Sequence, residues 1–225
     1  MGFTPWPYDY TPKAAEETYN TLSEHGDLTA HHFDGGIPWD EALKGKPYHR
    51  SVRSEIEFRK LHTPEGHRVY IALTPLSAGR DGLAEYWAAS NNMQLPEKWQ
   101  NKRFNDPGVI EAYLNHCRRM IEHFDPDYAA YGIEVNMLAE NPPDRFEKYL
   151  EMTGAVYRAL KQEYPDLPLF LTLQLESFIK DPRTGRNAVE RLLPFTDYIA
   201  VSSYPFLNDR DPNHCRTTGF YSLPI

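Results

Sequence analysis

Glu134 is the residue of this sequence best placed for acid–base chemistry. It stands late in the otherwise apolar run Tyr131-Gly132-Ile133-Glu134-Val135, whose spacing is that of a buried strand. A carboxyl group among such neighbours is desolvated, and desolvation disfavours its charged form. A carboxyl that keeps its proton near neutral pH can serve as a general acid. The competing reading is a structural carboxylate paired with an interior donor.

Other polar residues fall into line with it. Side chains two apart on a strand share a face. Asn136 therefore shares the face of Ala130, Gly132 and Glu134, and Phe170, Thr172, Gln174 and Glu176 share another. Ala200, Ser202 and Tyr204 form a third such set, Ala30, His32 and Asp34 a fourth, and Tyr70, Ala72 and Thr74 a fifth. Each begins small or apolar and ends polar, whereas the opposite faces are apolar nearly throughout. A polar strand end often only meets solvent, but five in succession point to a cleft. His32, Asp34, Asn136, Gln174, Glu176 and Tyr204 are the candidates for gripping a hydroxyl-rich ligand. Trp6, Trp39 and Trp87 lie at or after strand ends and offer flat platforms for sugar rings, with core packing as the alternative for each.

Other chemistries fit less well. His31 and His32 are adjacent on a strand and point to opposite faces, so they do not share a metal ion, and no metal site is expected. Ser202 and Ser203 lack the glycine elbow of a hydrolase nucleophile. No glycine-rich phosphate loop occurs, and no cofactor is expected.

The elements that must carry these residues alternate in type. Strands are expected over 2–6, 28–34, 69–74, 128–136, 169–176 and 198–204. Thr11-Pro12 and Asp106-Pro107 read as helix N-caps followed by proline at the first helical position. The first helix should stop near Gly26, and the second puts Val109, Ile110, Tyr113, Leu114, Cys117, Met120 and Ile121 on one face. A third opens with Pro142-Pro143 and ends before Pro165, and a short one covers 187–193. Residues 75–105 read as a long loop.

Such alternation marks an α/β fold with a parallel sheet. A (β/α)8 barrel takes about 250 residues. Six units within residues 1 to 207 therefore predict an incomplete TIM-type barrel, one domain over 1–225. An open doubly wound sheet is the alternative, but Pro5-Trp6-Pro7-Tyr8 after the first strand cannot cradle a phosphate.

Composition narrows the function. The net charge of -8 excludes a basic nucleic-acid-binding face. No apolar run is long enough to span a membrane. Two cysteines, Cys117 and Cys215, make neither a disulfide framework nor a cysteine-rich zinc site. No basic segment followed by a long apolar run opens the chain, so no secretory signal is read and a cytoplasmic location is expected for the chain as it stands.

Two segments carry a resemblance. Tyr131-Gly132-Ile133-Glu134-Val135-Asn136 and Asp197-Tyr198-Ile199-Ala200-Val201-Ser202-Ser203-Tyr204-Pro205-Phe206 resemble the fourth and sixth strands of the clan of retaining (β/α)8 glycoside hydrolases. Within it they are nearest to family-53 endo-β-1,4-galactanase-like and cellulase-like proteins. Gly2-Phe3-Thr4-Pro5-Trp6-Pro7 and His31-His32-Phe33-Asp34 add to the likeness, which runs over most of residues 1 to 207. The resemblance implies hydrolysis of a β-linked poly- or oligosaccharide by two carboxyl groups, with Glu134 as acid/base and Tyr204 near the reacting centre. Such enzymes are often exported. The clan has Asn just before its acid/base glutamate; here Ile133 stands there, and Asn136 is the substitute on the same face.

The resemblance puts the second carboxylate, the nucleophile, at the end of a seventh strand, and the sequence ends at Ile225. The segment Asn213 to Phe220 has neither helical nor strand periodicity, so a truncated or frameshifted gene is one expectation. The competing class is a non-catalytic carbohydrate-binding barrel remnant. The open edges of an incomplete barrel would favour self-association.

Overall fold

The structure is a computed structural model, and it describes residues 1–140 and 142–204. Six strands pair in parallel and in sequence order, forming a curled half-barrel with helices between them. In chain order these are β1 (Gly2–Phe3), α1 (Pro12–His25), β2 (Leu28–Phe33), α2 (Trp39–Leu43), α3 (Arg50–His62) and β3 (Arg68–Leu73). Next come α4 (Glu97–Gln100), α5 (Pro107–Phe124), β4 (Tyr128–Ala130), a 3₁₀ turn (Val135–Glu140) and α6 (Pro143–Glu163). The described part closes with β5 (Leu169–Gln174), α7 (Leu175–Lys180), α8 (Pro182–Leu192), a second 3₁₀ turn (Leu193–Phe195) and β6 (Ile199–Ser202). The expected incomplete TIM-type barrel is what forms. The tail carrying the frameshift expectation lies outside the described residues.

Local chemistry explains most boundaries. Thr11 Oγ1 accepts from the Ala14 N–H at 3.2 Å, and α1 ends at Gly26 as its capping pattern requires. Asp106 precedes α5 without capping it, because its carboxylate accepts from the Arg103 N–H at 3.1 Å. α5 buries Val109, Tyr113, Cys117, Met120 and Ile121 of the expected stripe, leaves Ile110 and Leu114 partly buried, and adds Ala112, His116 and Phe124. α3 has no counterpart in the sequence expectations. Only Val52 and Ile56 of its thirteen residues are buried, too few for an apolar stripe to show.

The main core lies between the outer face of the sheet and the helices, with Phe33, Ile71, Leu73, Leu171 and Leu173 facing Tyr113, Met120, Tyr149 and Val156. A smaller cluster of Ala72, Ala130, Ile133 and Phe170, flanked by Tyr70 and Ala200, fills the concave side.

β4 is much shorter than expected, and this decides the geometry of the site. Tyr131 and Gly132 still bond to β5 through Phe170 O at 3.0 Å and the Thr172 N–H at 2.9 Å. A Cβ at Gly132 would approach Tyr149 Oη to 2.6 Å and Leu171 Cδ2 to 2.7 Å, so only glycine fits. Beyond it the alternation breaks. Ile133 joins the inner cluster instead of pointing outward, and Glu134 takes a left-handed φ of 54° that turns the chain into the 3₁₀ segment. β5 likewise stops at Gln174, which puts Glu176 on α7 and not on the strand.

Candidate active site

Glu134 lies at the C-terminal end of the sheet, where active sites of such barrels are built. It is 6% exposed. The apolar surroundings read from its neighbours in sequence are not its surroundings in space. Oε2 accepts from Arg80 Nε at 3.3 Å, and Oε1 accepts from the Ser202 hydroxyl at 2.8 Å. Its own N–H donates to Thr172 Oγ1 at 2.9 Å. Residues from β6 and the loop after β3 thus converge on the carboxylate, while β5 holds the Glu134 backbone.

Arg80 extends the network. Its Nη2 lies 3.7 Å from Asp34 Oδ2, and the same oxygen lies 3.3 Å from His32 Nε2. Hydrogen bonding from His32 holds the Asp34 carboxyl below its ordinary range, and the Arg80 charge acts in the same direction. Trp6 stands edge-on to His32 with ring centroids 5.9 Å apart and is 66% exposed, a free aromatic face beside the polar cluster. Tyr204 hydrogen-bonds Glu134. Partial burial, then that contact, raises its phenol above its usual value. Glu176 Oε1 accepts from the Ser203 hydroxyl at 2.8 Å and from the Tyr204 N–H at 2.6 Å. Its Oε2 is buried and has no hydrogen-bond partner among the described residues. Gln174, on the inner face with Thr172, pairs in register with Ser202 at the rim.

The structure thus brings Glu134, His32, Asp34, Tyr204, Glu176 and Trp6 to one end of the half-barrel, with Gln174 beside them. Three expected site residues belong elsewhere. Asn136 is fully committed within the fold: Nδ2 donates to Gln174 O at 3.0 Å and to Ser177 Oγ at 3.3 Å, and Oδ1 accepts from the Gln174 N–H at 2.8 Å. Its amide splices the 3₁₀ turn to the end of β5, so it does not substitute for a sugar-binding asparagine. Trp39 is wholly buried, donates its indole N–H to Ala84 O at 2.9 Å and packs on Trp99. Trp87 is buried against Phe33. Both are core residues, because the loop after β3, which carries Trp87, folds down over Trp39.

Arg80 was not among the residues expected from sequence. Its only signal is a lone arginine amid the turn chemistry of Gly79, Asp81 and Gly82, within the loop that follows a strand. His31 faces away from the site, bonding Thr63 Oγ1 at 2.9 Å and packing on Phe124. Among the described residues no group of three or more His, Cys, Asp or Glu is placed to hold a metal ion, and no helix is long and apolar enough to cross a membrane.

No protein-family model matches the chain, and no curated protein matches it. Solved structures do. An exo-β-1,4-mannosidase, Op5Man5 from Opitutaceae bacterium strain TAV5, aligns with a TM-score of 0.63 at 16% identity, over 91% of this chain and 38% of that one. The GH53 catalytic domain of Ignisphaera aggregans aligns with a TM-score of 0.51 at 19% identity, over 85% of this chain and 52% of that one. A GH5_18 protein from Streptomyces cattleya, solved with Manβ1-4GlcNAc, aligns with a TM-score of 0.50 at 15% identity, over 74% of this chain and 40% of that one. The chain spans about half or less of the length of each. These likenesses show the fold, a partial (β/α)8 barrel of the kind that these glycoside hydrolases have.

Proposed function

We propose that the chain is the first six units of a retaining (β/α)8 glycoside hydrolase acting on a β-linked poly- or oligosaccharide. The observation that carries this reading is the buried Glu134 carboxyl at the C-terminal mouth, ringed by hydroxyl, guanidinium and carboxylate groups and with the exposed Trp6 nearby. In this reading Glu134 gives its proton to the glycosidic oxygen as that bond breaks. A second carboxylate attacks the anomeric carbon and forms a glycosyl ester. Glu134 then takes a proton from water, which attacks the same carbon and frees the carboxylate. The resemblance puts that second carboxylate on a seventh strand, outside the six strands here. His32, Asp34, Glu176, Gln174 and Tyr204 position the sugar, Trp6 stacks on it, and the chemistry needs no cofactor. The β-1,4 linkage in the names of two fold relatives supports starting with β-1,4-glycans, galactan and cellulose-type glucans included.

The test is turnover of chromogenic β-glycosides and β-1,4-glycans by this chain and by a chain extended through two further units, each beside Glu134→Gln. Turnover that disappears with Glu134→Gln is expected from the extended chain. Turnover that survives the substitution refutes Glu134 as acid/base.

A second reading, a non-catalytic carbohydrate-binding barrel, has one observation in its favour. Every side-chain group that meets the Glu134 carboxylate among the described residues holds it as an acceptor, as a structural anion would be held. Sugar binding without turnover in the extended chain would select it. The β6 edge supports self-association in either case, because Ile199 and Val201 on its outer face are 49% and 55% exposed.

A further inference from the structure

We propose that Arg80 is a positioning residue of this site, fixing the Glu134 carboxyl group in one orientation, with Asp34 as its second anchor. Its role in turnover rests on Glu134 being the acid/base; the ion pair itself does not.

Arg80 is 6% exposed, and a guanidinium at that depth requires acceptors. It has three: Glu134 Oε2 on Nε, Ser77 O on Nη1 at 3.2 Å, and Asp34 Oδ2 near Nη2. Both ends of the Arg80–Glu134 pair are in the left-handed region, with φ of 58° and 54°. Such backbone costs energy for a side chain other than glycine and persists where surrounding structure enforces it. Here two unfavourable backbone geometries face each other across one ion pair.

The loop that delivers Arg80 is firmly held. The Arg80 N–H donates to Ser77 O at 2.9 Å, Ser77 Oγ donates to Asp81 Oδ1 at 2.8 Å, and Arg145 donates to Asp81 O at 2.6 Å. Leu76, Ala84 and Trp87 anchor the loop in the core. The guanidinium is therefore a fixed charge and not part of a swinging side chain.

The groups facing Glu134 can be named by element. The loop after β3 supplies Arg80, β5 supplies the Thr172 hydroxyl, β6 the Ser202 hydroxyl and the following residues the Tyr204 phenol. β2 and the residue after it supply His32 and Asp34 through Arg80. Arg80 is the one permanent cation among them, so it alone opposes desolvation of the Glu134 charge at every pH where the protein is folded.

Titration of the Glu134 carboxyl by 13C NMR, in protein labelled at the glutamate carboxyl carbon and assigned with Glu134→Gln, tests this whether or not the chain turns over substrate. Replacing the cation in Arg80→Met is expected to raise the Glu134 midpoint by about one to three units. Arg80→Lys is expected to recover most of that shift, because it restores the charge. Asp34→Asn leaves Arg80 in place, removes the anion that competes for it and is expected to lower the midpoint. An unchanged midpoint in folded Arg80→Met, or equal shifts in the Met and Lys variants, overturns the proposal. If Arg80→Met does not fold, a midpoint in Asp34→Asn that stays put or rises overturns it. Hydrolysis that survives Glu134→Gln removes the catalytic reading while leaving these titrations to stand or fall on their own.

Discussion

The Ser202 hydroxyl, on the last described strand, donates to Glu134 Oε1 at 2.8 Å, although 68 residues separate the two. This bond crosses over β5 and ties β6 to the centre of the site. Ser202→Ala should cost about 1.5–3 kcal/mol, the range for a hydrogen bond to a charged group. Urea unfolding at pH 7 checks it, and Ser203→Ala, which removes the hydroxyl on Glu176 instead, is the comparison.

Gly132→Ala should be disproportionately harmful. The added methyl would press on Tyr149 Oη, Leu171 Cδ2 and Val135 Cγ1, all within 2.8 Å of the Cβ position. Overpacking of this kind costs about 1–3 kcal/mol. The substitution also displaces the turn that aims Glu134. The expected outcome is a lowered urea midpoint together with a shifted Glu134 carboxyl resonance, and a normal midpoint would show that the neighbours can yield.

Two buried histidines predict acid lability. Burial depresses both His31 and His116 to about 3, against an ordinary value near 6.5. The folded state therefore holds them neutral while the unfolded chain takes up protons. Their contribution is fully present above about pH 6.5 and is lost as pH falls toward 3. Between pH 6.5 and 4.5 each should remove about 2–3 kcal/mol. Unfolding free energies measured across that interval should fall with a slope of about two protons. His116→Gln should cut the slope by about one proton, even though it also disturbs the Tyr48 contact at 3.0 Å.

The tryptophans should separate by role. Trp39→Ala empties a fully buried site and should cost about 3–5 kcal/mol. Trp6→Ala should leave stability nearly unchanged and weaken binding of β-1,4-oligosaccharides, read by calorimetric titration. Unaltered binding would remove Trp6 from the site.

Much of this fold was legible because period-2 and period-3.6 patterns coexist with clear punctuation. The strand order, the stripe of α5 and the proline-led starts of α1, α5 and α6 follow from that. α3 escaped because a helix with two buried side chains has hardly any pattern. The site was legible where polar residues end strands, as at His32, Asp34 and Tyr204. It was illegible where the strand stops early. Extending the alternation past Gly132 sent Asn136 to the wrong surroundings and hid the reversal of Ile133. Arg80 was illegible for a different reason: a loop residue acquires its meaning from a fold-wide contact, and nothing in its neighbours in sequence announces a carboxylate 54 residues away. Trp39 and Trp87 look alike on either reading until the burial of α2 and of the loop after β3 is known.

The in-order parallel sheet has a consequence for synthesis. Each strand pairs with the one made just before it, so the core can be laid down as the polypeptide leaves the ribosome. The cluster around Glu134 follows a later schedule. Arg80 precedes Glu134 in the chain and can neutralise it at once, whereas Ser202 emerges only after β5 and α8 are complete. A nascent chain therefore carries its central acid already tethered to a base, and the last hydroxyl arrives as a latch on a charge that has been secured since the fourth strand.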